Sequence, residues 1–257
     1  MSGFDALTRS LRLDGKRALV TGASIGFGAH FAQLLASAGA ELVLAARRID
    51  KLQSLADSLR AQGAKVLAVA LDVSSKDSVH ACFDQAGPCD IVINNAGITV
   101  TRALLDQTED DWDSVIDTNL KGGWLVATEA ARRLRDAGRG GSFVNIGSVL
   151  GERVAAGVAP YAISKAGVVQ ATKVMALELA HYKIRVNALL PGYVITDLNR
   201  DFLESEPGQK LRMRIPSREF VQITDLNAPL LMLASDAGAG MTGACIAVDR
   251  GHLVSTL

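Results

Sequence analysis

Tyr161 and Lys165, in the run Tyr161-Ala-Ile-Ser-Lys165, stand four residues apart. On a helix that spacing puts a phenol and an ammonium on one face. A phenol with a pKa near ~10 exchanges protons poorly at neutral pH, and a neighbouring ammonium favours its ionised form. The pair can therefore move a proton, and Lys165 can also anchor hydroxyl groups. Ser148 ends Val144-Asn-Ile-Gly-Ser148, directly after an apolar run that reads as a strand. Its hydroxyl would reach the same sheet edge, where it could orient a carbonyl and stabilise developing charge. Asn119, at the centre of Asp117-Thr-Asn-Leu120, could bind a main-chain carbonyl or a water, bend its helix and relay protons from Lys165. Each residue also has a plainer reading: an amphipathic helix edge for the pair, a turn or cap for Ser148, and a satisfied polar contact between helices for Asn119.

A second cluster could hold an anion. The segment Thr21-Gly-Ala-Ser-Ile-Gly-Phe-Gly28 joins the end of a strand to the start of a helix. Gly22, Gly26 and Gly28 let backbone approach a pyrophosphate, and Ser24 and Ile25 complete the turn that offers unsatisfied N–H groups to it. No Gly-Lys-Ser/Thr follows, which excludes a triphosphate P-loop; a glycine-rich turn without a ligand is the alternative. The next strand runs Glu41-Leu-Val-Leu-Ala-Ala-Arg-Arg48, with Ala46 where an acid would bind ribose hydroxyls. Arg47 and Arg48 offer rigid forks suited to a ribose 2′-phosphate. NADP(H) is the expected cofactor and NAD(H) the runner-up; the other reading is two solvated arginines. Asp72 and Val73 follow the third strand, where Asp72 could accept from an adenine amino group or cap the helix near Ser75. Asn94-Asn95-Ala96-Gly97 lies at the carboxyl end of the fourth strand, beside the crevice in which open α/β sheets bind ligands.

These residues need a scaffold, and the chain supplies its pattern. Short aliphatic runs at 17–21, 41–45, 65–70, 90–93, 142–146, 185–190 and 245–248 alternate with helical patterns at 27–38, 50–62, 75–85, 109–136, 162–182 and 226–234. Continuous apolar runs mark strands covered on both faces, and alternation implies right-handed crossovers. The expected fold is α/β: a single doubly wound Rossmann domain over residues 1–257, with a seven-stranded, mainly parallel sheet and helices on both faces. The stretch to Asp136 is long for one helix, which predicts a break near Asn119. Residues 191–224 are irregular and predict a substrate lid with one or two short helices.

Composition narrows the class. Of 257 residues, 49% are apolar, and 27 basic side chains balance 27 acidic ones. No global field favours nucleic acid or an anionic membrane. The apolar stretch 226–234 falls far short of the ~20 residues a membrane span needs. Cys82, Cys89 and Cys245 fit no metal-ligand spacing and read as reduced thiols, and the first ten residues lack a secretory layout. A cytoplasmic protein, with no metal, nucleic acid or membrane partner, is expected.

Taken together, the glycine turn, the 94–97 element, the Asn119–Ser148–Tyr161–Lys165 set and Pro191-Gly-Tyr-Val-Ile-Thr196 resemble the short-chain dehydrogenase/reductase family over residues 13–251. The resemblance implies a catalytic quartet of Asn119, Ser148, Tyr161 and Lys165. It also implies that Pro191, Gly192, Val194 and Thr196 lie beneath a nicotinamide ring, with the Val194 backbone and the Thr196 side chain receiving its carboxamide. A homotetramer is implied, along with a small carbonyl or alcohol substrate that could be linked to a carrier protein. Ile25 stands where NADP-preferring members often carry a basic residue, Gly147 precedes the serine, and Asp249-Arg-Gly251 departs from Asp-Gly-Gly. Rival readings are a 3-oxoacyl-carrier-protein reductase, a weakly active dinucleotide-binding regulator, and a nucleotide-sugar epimerase or dehydratase.

Overall fold

A computed structural model describes residues 3–196 and 199–255. The chain ends and positions 197–198, within the expected lid, lie outside the described residues. Seven strands form one sheet: β1 (Arg17–Thr21), β2 (Glu41–Ala46), β3 (Val66–Ala70), β4 (Ile91–Asn94), β5 (Gly141–Ile146), β6 (Ile184–Pro191) and β7 (Cys245–Val248). Their spatial order is β3-β2-β1-β4-β5-β6-β7 and every pairing is parallel. The expected "mainly parallel" sheet is thus parallel throughout, because each crossover carries a helix rather than a hairpin.

Alternate strand residues feed two separate cores, which is why the strands read as unbroken apolar runs. Ala18, Val20, Leu42, Leu44, Ile91 and Ile93 face a cluster with Phe31, Leu35, Leu52 and Leu230. Those partners lie on α2 (Gly26–Ser37), α3 (Ile49–Ala61) and α10 (Asn227–Ala234). Leu19, Val43, Val92 and Phe143 face the other side, against Phe83, Val126, Leu134 and Met175. These come from α4 (Lys76–Ala86), α6 (Gly122–Asp136) and α7 (Ala159–Leu179). A one-residue register slip would exchange the two sets wholesale, so the packing fixes register strongly.

The break anticipated near Asn119 is real and has a specific form. α5 (Glu109–Ile116) gives way to a π-helical turn, Asp117–Lys121, before α6 begins. Thr108 and Asp111 close a reciprocal capping box at the head of α5. At the start of α6 a Cβ on Gly122 would lie 2.7 Å from Val73 Cγ2, so only glycine permits the approach of this helix to the loop after β3. The wider turn absorbs the extra residue just before that close approach and leaves the Asn119 side chain buried.

Two short helices, α8 (Arg200–Glu204) and α9 (Glu206–Arg212), occupy the irregular stretch after β6. Leu203, Ile215 and Phe220 form a small apolar cluster there, with Tyr193, Ile195 and Leu211 packed against it. An N-terminal helix, α1 (Gly3–Ser10), was not expected; it buries none of its residues, so its sequence carries little core signal.

Candidate active site

In the sheet, crossovers proceed one way from β1 to β3 and the other way from β4 to β7. The carboxyl ends of β1 and β4 therefore flank an open crevice. Thr21 ties its walls together. Its hydroxyl accepts from the Asn95 and Ala96 N–H groups, both at 3.0 Å, while Asn95 Nδ2 donates to the Thr21 carbonyl at 2.9 Å. The glycine turn grows from this knot. A Cβ on Gly28 would collide with the Gly22 carbonyl oxygen at 2.3 Å, so α2 can start only where glycine stands. Gly26 has φ +55 with open space where its Cβ would be, leaving bare backbone exposed to the crevice. Ile25 is extended at the head of α2 and supplies no side-chain cap, so the first N–H groups of the helix remain for another acceptor.

The arginine pair lies above this turn. Arg48 Nη2 donates to Ser24 Oγ at 3.1 Å, and Arg47 acts electrostatically on Asp72. Asp72 Oδ1 accepts from Ser74 N–H at 3.0 Å and Ser74 Oγ at 2.7 Å. Those Ser74 bonds, with help from Arg47, hold its carboxyl below the ordinary range despite partial burial. The cap of α4 is Ser75, not Asp72. Val73 is buried and packs beside Ala96 and Asn119 around the recess between β4 and α6.

On the opposite side of the crevice, Ser148 follows β5 directly and Tyr161 enters α7. Ser148 Oγ accepts from Leu150 N–H at 3.1 Å, which fixes its rotamer. Burial raises the Tyr161 pKa above its ordinary 10, and the neighbouring Ser148 hydroxyl opposes that rise. Lys165 is buried; its Nζ donates to the Ile146 carbonyl at 2.8 Å and sits 5.6 Å from the Tyr161 ring centroid. The expectation that Lys165 would pull the phenol down is therefore not realised: desolvation dominates, and the ammonium is engaged with a carbonyl. Gly97 lies between the partners, since a Cβ there would sit 3.2 Å from Asn119 Oδ1 and 3.6 Å from Lys165 Nζ.

Asn119 binds protein backbone on both edges of its amide. Oδ1 accepts from Ile98 N–H at 2.8 Å, and Nδ2 donates to the Ile98 carbonyl at 2.9 Å and to Ser164 Oγ at 3.0 Å. Ser164 Oγ in turn donates to the Tyr161 carbonyl at 2.7 Å. Asn119 therefore fastens the loop after β4 to α7, a role for Ser164 that sequence reasoning missed although it lies inside the Tyr–Lys run.

Pro191 ends β6 opposite Val248, and a Cβ on Gly192 would lie 2.8 Å from Asp249 Cα. Val194 bridges Val221. Asn199, also missed, accepts from Thr196 N–H at 2.8 Å and donates to the Val194 carbonyl at 2.9 Å, bracing the segment expected under the nicotinamide. A Cβ on Gly147 would meet Leu190 Cδ2 at 2.3 Å, so a larger residue there would need that side-chain end to move. Arg250 pairs with Asp225 at 2.8 Å and Glu219 at 3.2 Å within the chain.

Residues 22–252 match a family model described as enoyl-(acyl carrier protein) reductase. The chain is 36% identical over 248 residues to a gluconate 5-dehydrogenase of Gluconobacter oxydans, covering 95% of this chain and 96% of the relative. It is 37% identical over 241 residues to a 3-oxoacyl-[acyl-carrier-protein] reductase of Staphylococcus aureus, covering 92% and 97%. The crystal structure of a gluconate 5-dehydrogenase from Burkholderia cenocepacia, in complex with NADP and tartrate, superposes with a TM-score of 0.93 at 36% identity over 98% of this chain and all of that one. The chain belongs to the short-chain dehydrogenase/reductase family. It is an oxidoreductase of the CH–OH/C=O class.

Within this short-chain dehydrogenase/reductase, burial pushes the Lys165 ammonium from its ordinary 10.5 down to about 8. The unfolded chain then holds more protons than the folded one between those values, so the Lys165 contribution to stability rises with pH across that window. The stability of the wild type minus that of Lys165→Met, from urea melts, is expected to climb between pH 8 and 10.5 by up to about 3 kcal/mol, at about 1.4 kcal/mol per pH unit. A difference that stays flat through that range contradicts a penalised ammonium.

Proposed function

We propose that this enzyme transfers a hydride between NADP(H) and a carbonyl or secondary alcohol. The observation that carries the reading is the convergence of Ser148, beside the Tyr161 phenol, and a buried Lys165 with a glycine turn, all along one sheet edge. The residues fit the cofactor: Gly26 leaves open backbone, the head of α2 is uncapped, Arg48 reaches Ser24 and Arg47 acts on Asp72. The nicotinamide, when bound, supplies the hydride chemistry, and the chain supplies alignment and the proton.

In this proposal Tyr161 is the acid. Its raised pKa keeps the phenol protonated at neutral pH, ready to protonate the carbonyl oxygen during reduction. Ser148 orients that oxygen through the same hydroxyl that meets the phenol. Lys165 uses one donor on Ile146 and has others for ribose hydroxyls. Asn119 positions α7 against the 95–98 loop and leads the relay from Lys165. Gly22, Ser24, Ile25, Gly26 and Gly28 would cradle the pyrophosphate, Asp72 and Val73 the adenine, and Asn95, Ala96 and Gly97 a ribose. Pro191, Gly192, Val194 and Thr196 would support the nicotinamide. Residues 191–224 would act as a lid within one domain.

Ala46 lacks the carboxylate that would favour NAD(H), and Arg47 and Arg48 supply the charge a 2′-phosphate needs. A carrier-linked acyl substrate is the second reading, favoured by the similarity to the Staphylococcus aureus reductase. Against it, the lid cations Arg200 and Lys210 are paired with Glu204 and Glu206 on their own helices. A homotetramer is in keeping with Trp112, Trp124, Ile163 and Leu177 exposed along α5, α6 and α7. Three free thiols, with Cys82 and Cys89 pushed up to about 11 and about 12 by burial, suit a reducing cytoplasm.

Tyr161→Phe is expected to keep NADPH affinity while lowering turnover by at least about 100-fold, the scale for a lost acid–base group. Near-normal turnover contradicts the assignment. The Arg47→Ala/Arg48→Ala double variant is expected to weaken NADPH binding about tenfold or more, equivalent to about 1.4 kcal/mol, and to spare NADH. Titration with both dinucleotides checks this, and equal losses would assign the arginines to a shared part of the cofactor.

A further inference from the structure

Next to Tyr161 stands an aromatic pair, Tyr193 and His252, that arginines surround. Tyr193 acts electrostatically on the Tyr161 phenol, and its ring lies 5.5 Å from the His252 ring. Arg153, five residues after Ser148, acts on both Tyr193 and His252. It holds the C-terminal turn through Nη1 alone, which donates to the His252 carbonyl and, at 2.6 Å, to Ser255 Oγ. Its Nε and Nη2 take no partner among the described residues. Arg214 also acts on His252, and Arg212 Nε is buried without an acceptor.

Negative charge to balance this set is scarce. Asp249 is the carboxylate that acts on His252, and both its oxygens are taken: Oδ1 accepts from Gly251 N–H at 2.9 Å and Oδ2 from Leu253 N–H at 2.6 Å. His252 is 5% exposed with Nδ1 unpartnered. Burial first, then Arg153 and, more weakly, Arg214 hold its pKa below the ordinary value against the opposing pull of Asp249, so the imidazole is biased towards its neutral form. A partly desolvated guanidinium with free donors and no carboxylate among the described residues is an unfinished pair.

We propose that Arg153 binds a carboxylate on the substrate, with Tyr193 lining the path between that carboxylate and the carbonyl held at Ser148 and Tyr161. The free Nε and Nη2 form the two-pronged edge that meets a carboxylate side-on, which a lysine could not offer. The substrate class is therefore an oxo acid, or the matching hydroxy acid in the reverse direction. This assignment rests on the reductase reading above.

The test compares oxo acids of increasing chain length with their methyl esters and with the corresponding oxo phosphates, in NADPH-dependent reduction. Wild type is expected to favour the best acid over its ester by about tenfold or more in kcat/KM, as one charge-assisted contact allows, and mainly through KM. In Arg153→Met that ratio is expected to fall to near one. Ser255→Ala, which removes a contact of the same guanidinium without its charge, is expected to keep the preference and so separates charge from the hold on the C-terminal turn. Equal use of acid and ester by wild type, equal loss of both in Arg153→Met, or a preference for the phosphate overturns the proposal. Calorimetric titration of the acid into the NADPH-loaded enzyme reads the contact without turnover: binding that Arg153→Met weakens supports it, and absent or unaltered binding overturns it. Failure of the reductase reading is distinct, because it shows as no NADPH-dependent reduction of acid, ester or phosphate alike, while the calorimetric titration still reads the Arg153 contact.

Discussion

The hydroxyl of Thr21 bridges the one point in this sheet where the direction of winding reverses. By accepting from the N–H groups of Asn95 and Ala96 it closes the base of the crevice between β1 and β4, and Asn95 returns a bond to the Thr21 carbonyl. Two consequences follow. In the turn after β1, Gly22 and Gly28 are packed against each other and against Asn95. The loop after β4 brings Gly97 against Asn119 and Lys165. A neighbouring chain of bonds continues outward: Asn94 Nδ2 donates to Asn145 Oδ1 at 3.0 Å, and Asn145 Nδ2 donates to Thr172 Oγ1 at 2.9 Å. The position of α7 is thus set by polar contacts inside the sheet's edge as well as by apolar packing.

Burying Lys165 is the main electrostatic expense of this arrangement. The ammonium gains a carbonyl at 2.8 Å and the face of an aromatic ring, yet its pKa still falls to about 8. No carboxylate among the described residues relieves it. A group held in that state binds hydroxyl-rich ligands well, because its remaining donors have been stripped of water beforehand. The phenol beside it is shifted the other way, towards the protonated form. Opposite displacements of neighbouring titratable groups are a feature of sites that move protons near neutral pH.

Much of this was legible in the sequence. The strands could be read because both faces are covered, so their residues are apolar without alternation, and their bounds fall within a residue of those expected. Tyr161 and Lys165 could be paired because helix geometry is local. The break near Asn119 could be read from length, but its π-helical form could not, since it accompanies Gly122 packing on Val73 nearly fifty residues earlier. The Thr21 clamp, the Lys165–Ile146 bond and the brace from Asn199 are tertiary contacts with no local signature. The direction of the Tyr161 shift was misread for the same reason: spacing reveals the nearby ammonium, whereas burial, which decides the outcome, is a property of the fold.

The central claim is that the crevice and the Tyr161 edge act on one carbonyl, with the hydride arriving from the cofactor side and the proton from the protein. Reduction with NADPH carrying deuterium at nicotinamide C4, one diastereomer at a time, tests it most directly by mass and NMR analysis of the alcohol. Deuterium is expected on the former carbonyl carbon from one diastereomer alone, with the hydroxyl proton drawn from water. Product without deuterium at that carbon from either diastereomer would contradict it.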